Sequence, residues 1–142
     1  MPSVFGRIIA GELPARFVWK DEHAVAFLAN RPLRPGHTLV VPRLEVDHWL
    51  DVDPQILSHL TKIAQVVGRA QMTVFKPVRV GMMIAGLEVP HLHIHVVPIR
   101  GMHDLDFGNQ DPDPDPKVMD DAARALRDEM RKKGFEESVP AS

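Results

Sequence analysis

The sequence predicts an α+β domain in which an antiparallel sheet packs against two main helices, with a further helix added at the C-terminus. Three observations carry this expectation. Short runs of β-branched and aromatic residues follow one another through connections too brief for crossovers, so their strands must pair antiparallel. An apolar stripe at three- and four-residue steps marks a long helix over residues 54–74. A second such stripe follows a proline-rich break and marks the C-terminal helix.

The elements follow in order. Ser3 can cap a short helix carrying Val4, Phe5, Ile8 and Ile9, which Gly11 and Pro14 bring to an end. Residues 16–20 and 24–28 read as strands of a hairpin around the polar Asp21, Glu22 and His23. Two prolines and a glycine make 30–36 a loop, and residues 37–42 resume a strand that Pro42 stops. Asp53 followed by Pro54 is a helix start, after which Ile56, Leu57, Leu60, Ile63, Ala64, Val67 and Ala70 share one face. A strand over 78–84 then turns through Gly86 into a last strand from His91. The alternating Asp and Pro residues of 111–116 cannot pair in a sheet. The expected organisation is thus a folded domain over 1–104, a polar linker over 105–116, and an amphipathic helix and tail over 117–142. Met119, Ala122, Ala123, Leu126 and Met130 form the stripe of that helix.

A chain of 142 residues suits a single core. Its formal net charge of −2 gives no general attraction to nucleic acid or to an anionic membrane, so an anionic ligand must be held locally. The absence of cysteine excludes disulfides and thiolate zinc sites and favours the cytoplasm. The apolar run near the N-terminus is broken by Gly6 and Arg7, too short and polar for a signal segment or a membrane span.

His91, His93 and His95 alternate with Leu92, Ile94 and Val96, so an extended strand turns the three imidazoles to one side and the apolar residues to the other. A merely wetted face would be served equally well by Thr, Lys or Glu. Three chemistries use such a row: a metal site with His37 as a further ligand, a nucleophile acting on phosphorus or carbon, or a proton relay. Crowded imidazoles lower one another's pKa, which keeps one free to attack, while a single residual positive charge would steady a phosphoryl anion. A phosphate ester or phosphoramidate fits this face.

The run His91-Leu92-His93-Ile94-His95-Val96-Val97 resembles the His-φ-His-φ-His-φ-φ motif (φ apolar) of the histidine triad, or HIT, superfamily of nucleotide hydrolases and transferases. Residues 3–9 with 12–15, then 26–28, then 35–42, resemble successive blocks of that superfamily in the same order, and the similarity over 3–99 is greatest to its HINT branch of nucleoside phosphoramidate hydrolases. The resemblance implies the HIT-like fold, a five-stranded antiparallel sheet with two main helices, assembled as a homodimer with a longer sheet. It implies that His93 attacks the α-phosphorus and forms a covalent nucleotidyl-histidine that water resolves. His91 would orient His93 and, with His37, complete the polar network, while His95 would contact phosphate oxygens and the departing group.

For the substrate, the resemblance implies an AMP-like purine nucleotide, with Gly86, Glu88 and Val89 near the phosphate and leaving group. Val4, Phe5, Ile8, Leu13 and Phe27 would form the slot for the base, with Asn30 beside the sugar. No cofactor or metal, nucleic acid or membrane is implied. Alternatives are a dinucleoside polyphosphate hydrolase, a nucleotidyltransferase, or a weakly catalytic nucleotide-binding regulatory module. Three departures stand out: Ala29 where relatives commonly carry a ribose-binding Asp, Leu87 where they carry Gln, and Ser3 and Gly6 where some carry a zinc-binding Cys pair.

Overall fold

The computed structural model describes residues 2–142 and consists of a five-stranded antiparallel sheet with three α-helices. Helix α1 spans Val4–Ile9, and Ser3 caps it by accepting the Gly6 N–H through its hydroxyl. Strands β1 (Phe17–Lys20) and β2 (Ala24–Leu28) form the hairpin, whose turn is closed by Asp21 accepting the N–H groups of His23 and Ala24. Strand β3 (Thr38–Pro42) pairs with β2, and helix α2 (Pro54–Phe75) begins at the Asp53 cap with Pro54 in its first turn. Strand β4 covers Arg79–Met83, β5 covers Ile94–Ile99, and helix α3 covers Pro116–Lys132.

The strand order is β1-β2-β3-β5-β4, so β3 is central, β5 inserts between β3 and β4, and β4 is left at one edge. Because β3 and β5 are buried along their whole length, neither shows the apolar-polar alternation of a half-solvated strand. One face of the sheet carries the main core, where Leu60, Ile63 and Val67 of α2 meet Met119, Ala123, Leu126 and Met130 of α3 over Val18, Ala26, Val40 and Ile94. The opposite face carries a smaller cluster of Phe5, Ile8, Val25, Phe27, Ala29 and Leu39, covered by α1 and open on one side as a cleft.

The extended pairing of the last strand begins at Ile94 rather than at His91, a difference with a local cause. The ladder with β3 ends at the Val40–Ile94 pair and that with β4 at the Met83–His95 pair, so residues 91–93 lie beyond both. Instead Val46 accepts the Leu92 N–H, and Val89 accepts the His91 N–H. The 111–116 segment starts at the 30–32 loop, where the Asp111 N–H bonds to the Pro32 carbonyl, and leads into α3, which packs in the main core. No helix among the described residues is long and apolar enough to cross a membrane.

Leu126 is completely buried between α3, α2 and the sheet. Leu126→Ala is therefore expected to lower the unfolding free energy by about 2–5 kcal/mol in urea titrations, through lost apolar burial and the cavity left behind.

Candidate active site

His37 enters β3 from Gly36, whose φ of +90° suits glycine and whose missing side chain leaves room for the Phe75 ring. A β-carbon there would collide with that ring, so this turn holds the start of β3 against α2. His95 lies opposite Leu39 of β3. Gln71 on α2, fully buried, donates from Nε2 to the carbonyls of Gly36 and Val96, both at 2.9 Å. One amide thus ties together the residues flanking His37 and His95.

The hydrogen bonds fix where the protons reside. The Leu33 N–H donates to His37 Nδ1 at 3.0 Å, so the His37 proton is on Nε2, which donates to His95 Nδ1 at 2.9 Å. The proton of His95 is consequently on Nε2. His93 Nδ1 lies 2.7 Å from the His91 carbonyl, which can only accept, so Nδ1 carries the proton and Nε2 keeps its lone pair. His91 donates from Nε2 to the Pro42 carbonyl and accepts the Ser3 hydroxyl at Nδ1. Across the four imidazoles, only His93 Nε2 and His95 Nε2 remain without a hydrogen-bond partner among the described residues.

Burial pushes His37 down to about 3, with the imidazoles of His95 and His93 adding to the shift. Burial likewise lowers His95 to about 4, with His93 contributing. His93 is also lowered, chiefly by burial; its bond to the His91 carbonyl and the charge of Glu88 oppose that shift, whereas His91 reinforces it. All three are neutral at pH 7.

The cleft above these groups has a volume of about 850 Å³. Its wall includes His37, His93, His95, Glu88, Val89, Asn30, Val4, Phe5, Ile8, Leu13 and Phe27. The Phe5 ring stands edge-on to His93 at 4.9 Å between centroids and to Phe27 at 5.5 Å. Two expected residues are elsewhere. His91 is fully buried behind the cleft, held between Ser3 and Pro42, and it reaches His93 through its backbone carbonyl rather than its ring. Gly86 does not line the cleft; its φ of +77° serves the turn before the triad. The remaining histidines, His23, His48, His59 and His103, also lie outside it.

The cleft wall also contains Leu39, Arg16, Arg31, Gln110 and Asp120, which motif reading missed. Leu39 was accessible from strand alternation with His37. Asp120 was not, because its ion pair with Arg16, 2.7 Å from Nε to Oδ1, spans 104 residues of sequence. Of the departures, Ala29 is in the wall, whereas Leu87 is 93% exposed and does not line the cleft. Ser3 forms the α1 cap and the bond to His91, and the Glu45 carboxylate accepts its N–H. Among the described residues, no three His, Cys, Asp or Glu side chains are placed to hold one metal ion.

The depressed histidines make stability depend on pH. The unfolded chain takes up protons near the ordinary imidazole value, whereas native His37 and His95 do so only near 3 and 4. Stability is therefore full above about pH 6.5 and falls as the pH drops toward 4, by roughly 1.4 kcal/mol per pH unit for each histidine. Urea titrations across this range are expected to show that slope, and His37→Asn to flatten it.

Comparison with known proteins agrees with this geometry. The HIT domain family matches residues 10–102. An uncharacterized HIT-like protein of Mycobacterium tuberculosis is 36% identical over 105 residues, covering 70% of this chain and 73% of that protein. One from Methanocaldococcus jannaschii is 34% identical over 99 residues, covering 67% and 77%. Among solved structures, a Zn-bound histidine triad family protein from Mycobacterium smegmatis superposes with a TM-score of 0.79 at 29% identity, covering 92% of this chain and 94% of that one. A Hit-like protein involved in cell-cycle regulation from Bartonella henselae gives 0.78 at 26% identity, covering 89% and 95%. A neutral histidine cluster at the end of a shared fold, together with a family match over most of the chain, leads to one assignment: the chain belongs to the HIT domain family.

Proposed function

We propose that the protein hydrolyses a nucleoside 5'-phosphoramidate or a related nucleotide through a covalent nucleotidyl-histidine. The observation that carries this is the pair of free ring nitrogens of unlike kind: a lone pair at His93 Nε2 and an N–H at His95 Nε2, both on cleft-lining rings. A nucleophile and an acid therefore stand side by side, with ring centroids 4.8 Å apart.

In the first step His93 Nε2 attacks the α-phosphorus as the bond from phosphorus to nitrogen breaks. The departing amine takes the proton of His95 Nε2, leaving on His95 a negative charge that the Nε2–H of His37 holds by its hydrogen bond and the positive charge on His93 balances. His37 Nε2–H supports His95 from the far side, and the His91 carbonyl stabilises the positive charge that develops on His93. Water then attacks phosphorus and returns a proton to His95 Nε2, and the bond from phosphorus to His93 breaks. The products are a free amine and a nucleoside monophosphate. Glu88 lies at the cleft wall near His93, in place to contact the leaving group. Phe5, Ile8, Leu13 and Phe27 supply an apolar bed for the base.

Adenosine phosphoramidate is expected to be turned over in the presence of a chelator. His93→Ala should lower the rate at least about 10³-fold and abolish the covalent adduct in mass spectra, and His95→Ala should lower it roughly 10²-fold. Activity lost to the chelator and restored by zinc would overturn the metal-independent mechanism. Tight binding of AMP with no covalent adduct would favour a regulatory nucleotide-binding module.

The edge of β4 supports a homodimer. Its outer side has no partner strand among the described residues, and Met82 in β4 and Leu87 after it are exposed. A second copy paired there would extend the sheet. Sedimentation equilibrium is expected to show a dimer that Met82→Lys weakens by about tenfold or more.

A further inference from the structure

The cleft crosses most of the sheet. Cross-strand partners run from His95 to Leu39, from Leu39 to Phe27, and from Phe27 to Phe17. Three inter-strand steps of about 4.8 Å place the β1 rim roughly 14 Å from the triad. Arg16 lies at that rim beside the end of β2, its carbonyl accepting the Leu28 N–H. Asp120 comes from α3, outside the family-wide segment 10–102, and closes the rim by pairing with Arg16.

That ion pair uses only Nε of Arg16 and Oδ1 of Asp120. The guanidinium Nη groups and Asp120 Oδ2 have no other side-chain partner among the described residues, so a donor and an acceptor stand together at the end of the apolar cluster, in a wall that also holds Asn30, Arg31 and Gln110. A nucleotide with its phosphorus at His93 and its base over Leu39 and Phe27 would turn the far edge of that base toward this rim, and a purine would extend farther toward it than a pyrimidine.

We propose that Arg16 and Asp120 read the polar edge of a purine base, making the C-terminal helix a determinant of base specificity. Asp120 Oδ2 accepts an N–H of the base while an Arg16 Nη donates to a neighbouring ring nitrogen or oxygen. The subsite rests on the nucleotide function proposed above and deepens it, since the base is chosen by a segment remote in sequence from the triad.

Adenosine and purine riboside, which lacks the 6-amino group, separate the contact from general packing. The wild-type protein is expected to prefer adenosine phosphoramidate over the purine riboside compound by about tenfold or more in kcat/KM, and Asp120→Ala to collapse that ratio toward one. Asp120→Asn keeps an acceptor for Arg16 Nε but turns the free edge into a donor, so it is expected to shift preference toward a 6-oxo purine. Asp121→Ala, on the same helix but off the cleft, should leave the ratio unchanged. If Asp120→Ala lowers both substrates equally, or Asp120→Asn leaves the order of bases unaltered, the subsite is overturned while the hydrolase stands. Calorimetry with AMP and purine riboside monophosphate measures the same ratio without turnover. An Asp120-dependent preference there upholds the subsite even where no hydrolysis occurs, and its absence overturns the subsite.

Discussion

The hydrogen bond from the Leu33 N–H to His37 Nδ1 sets the polarity of the whole site. A backbone amide can only donate, so it forces the His37 proton to the opposite nitrogen and, through the next bond, forces the His95 proton into the cleft. With that order reversed, two lone pairs would face the substrate and no acid would remain. Burial guards the arrangement, because an additional proton would have to enter a site where charge is poorly solvated. Gly36, Phe75 and Gln71 hold His37 in register with β5, so the tautomer chain rests on backbone geometry rather than on surface groups.

The sheet and α2 were legible because their signals are local. Caps, prolines and apolar periods sit within a few residues of the structure they specify. The histidine row was legible as a motif, yet its division of labour was not. Alternation places His91 with His93 and His95, but in the fold the His91 ring turns to Ser3 and Pro42, 88 and 49 residues away in sequence. Proton positions are likewise invisible in a sequence, since they depend on which amide or carbonyl each nitrogen meets. Gly86 illustrates the ambiguity of glycine, which serves close approach and left-handed turns alike; here the turn claims it.

Departures from the family pattern have unequal consequences. Leu87 extends into solvent and does not line the cleft, whereas Ala29 belongs to the cleft wall, where its small apolar side chain offers no hydrogen-bonding group. Ser3 keeps α1 docked through hydrogen bonds alone. It caps the helix and engages His91, and Phe5 on that helix stands edge-on to His93. Position 3 therefore acts on the site through the orientation of a helix.

Helix α3 is anchored in two environments at once, with Leu126 and Met130 in the core and Asp120 at the cleft. A ligand that contacts Asp120 can bind fully only when the helix is docked, so its binding energy adds to the free energy of local opening. Amide protons in the first turns of α3 would then exchange with solvent more slowly as ligand concentration rises, although the reacting atoms lie at the other end of the cleft. For such a ligand, helix fraying and release would be linked equilibria, and a substitution that loosens the helix would shorten its residence time.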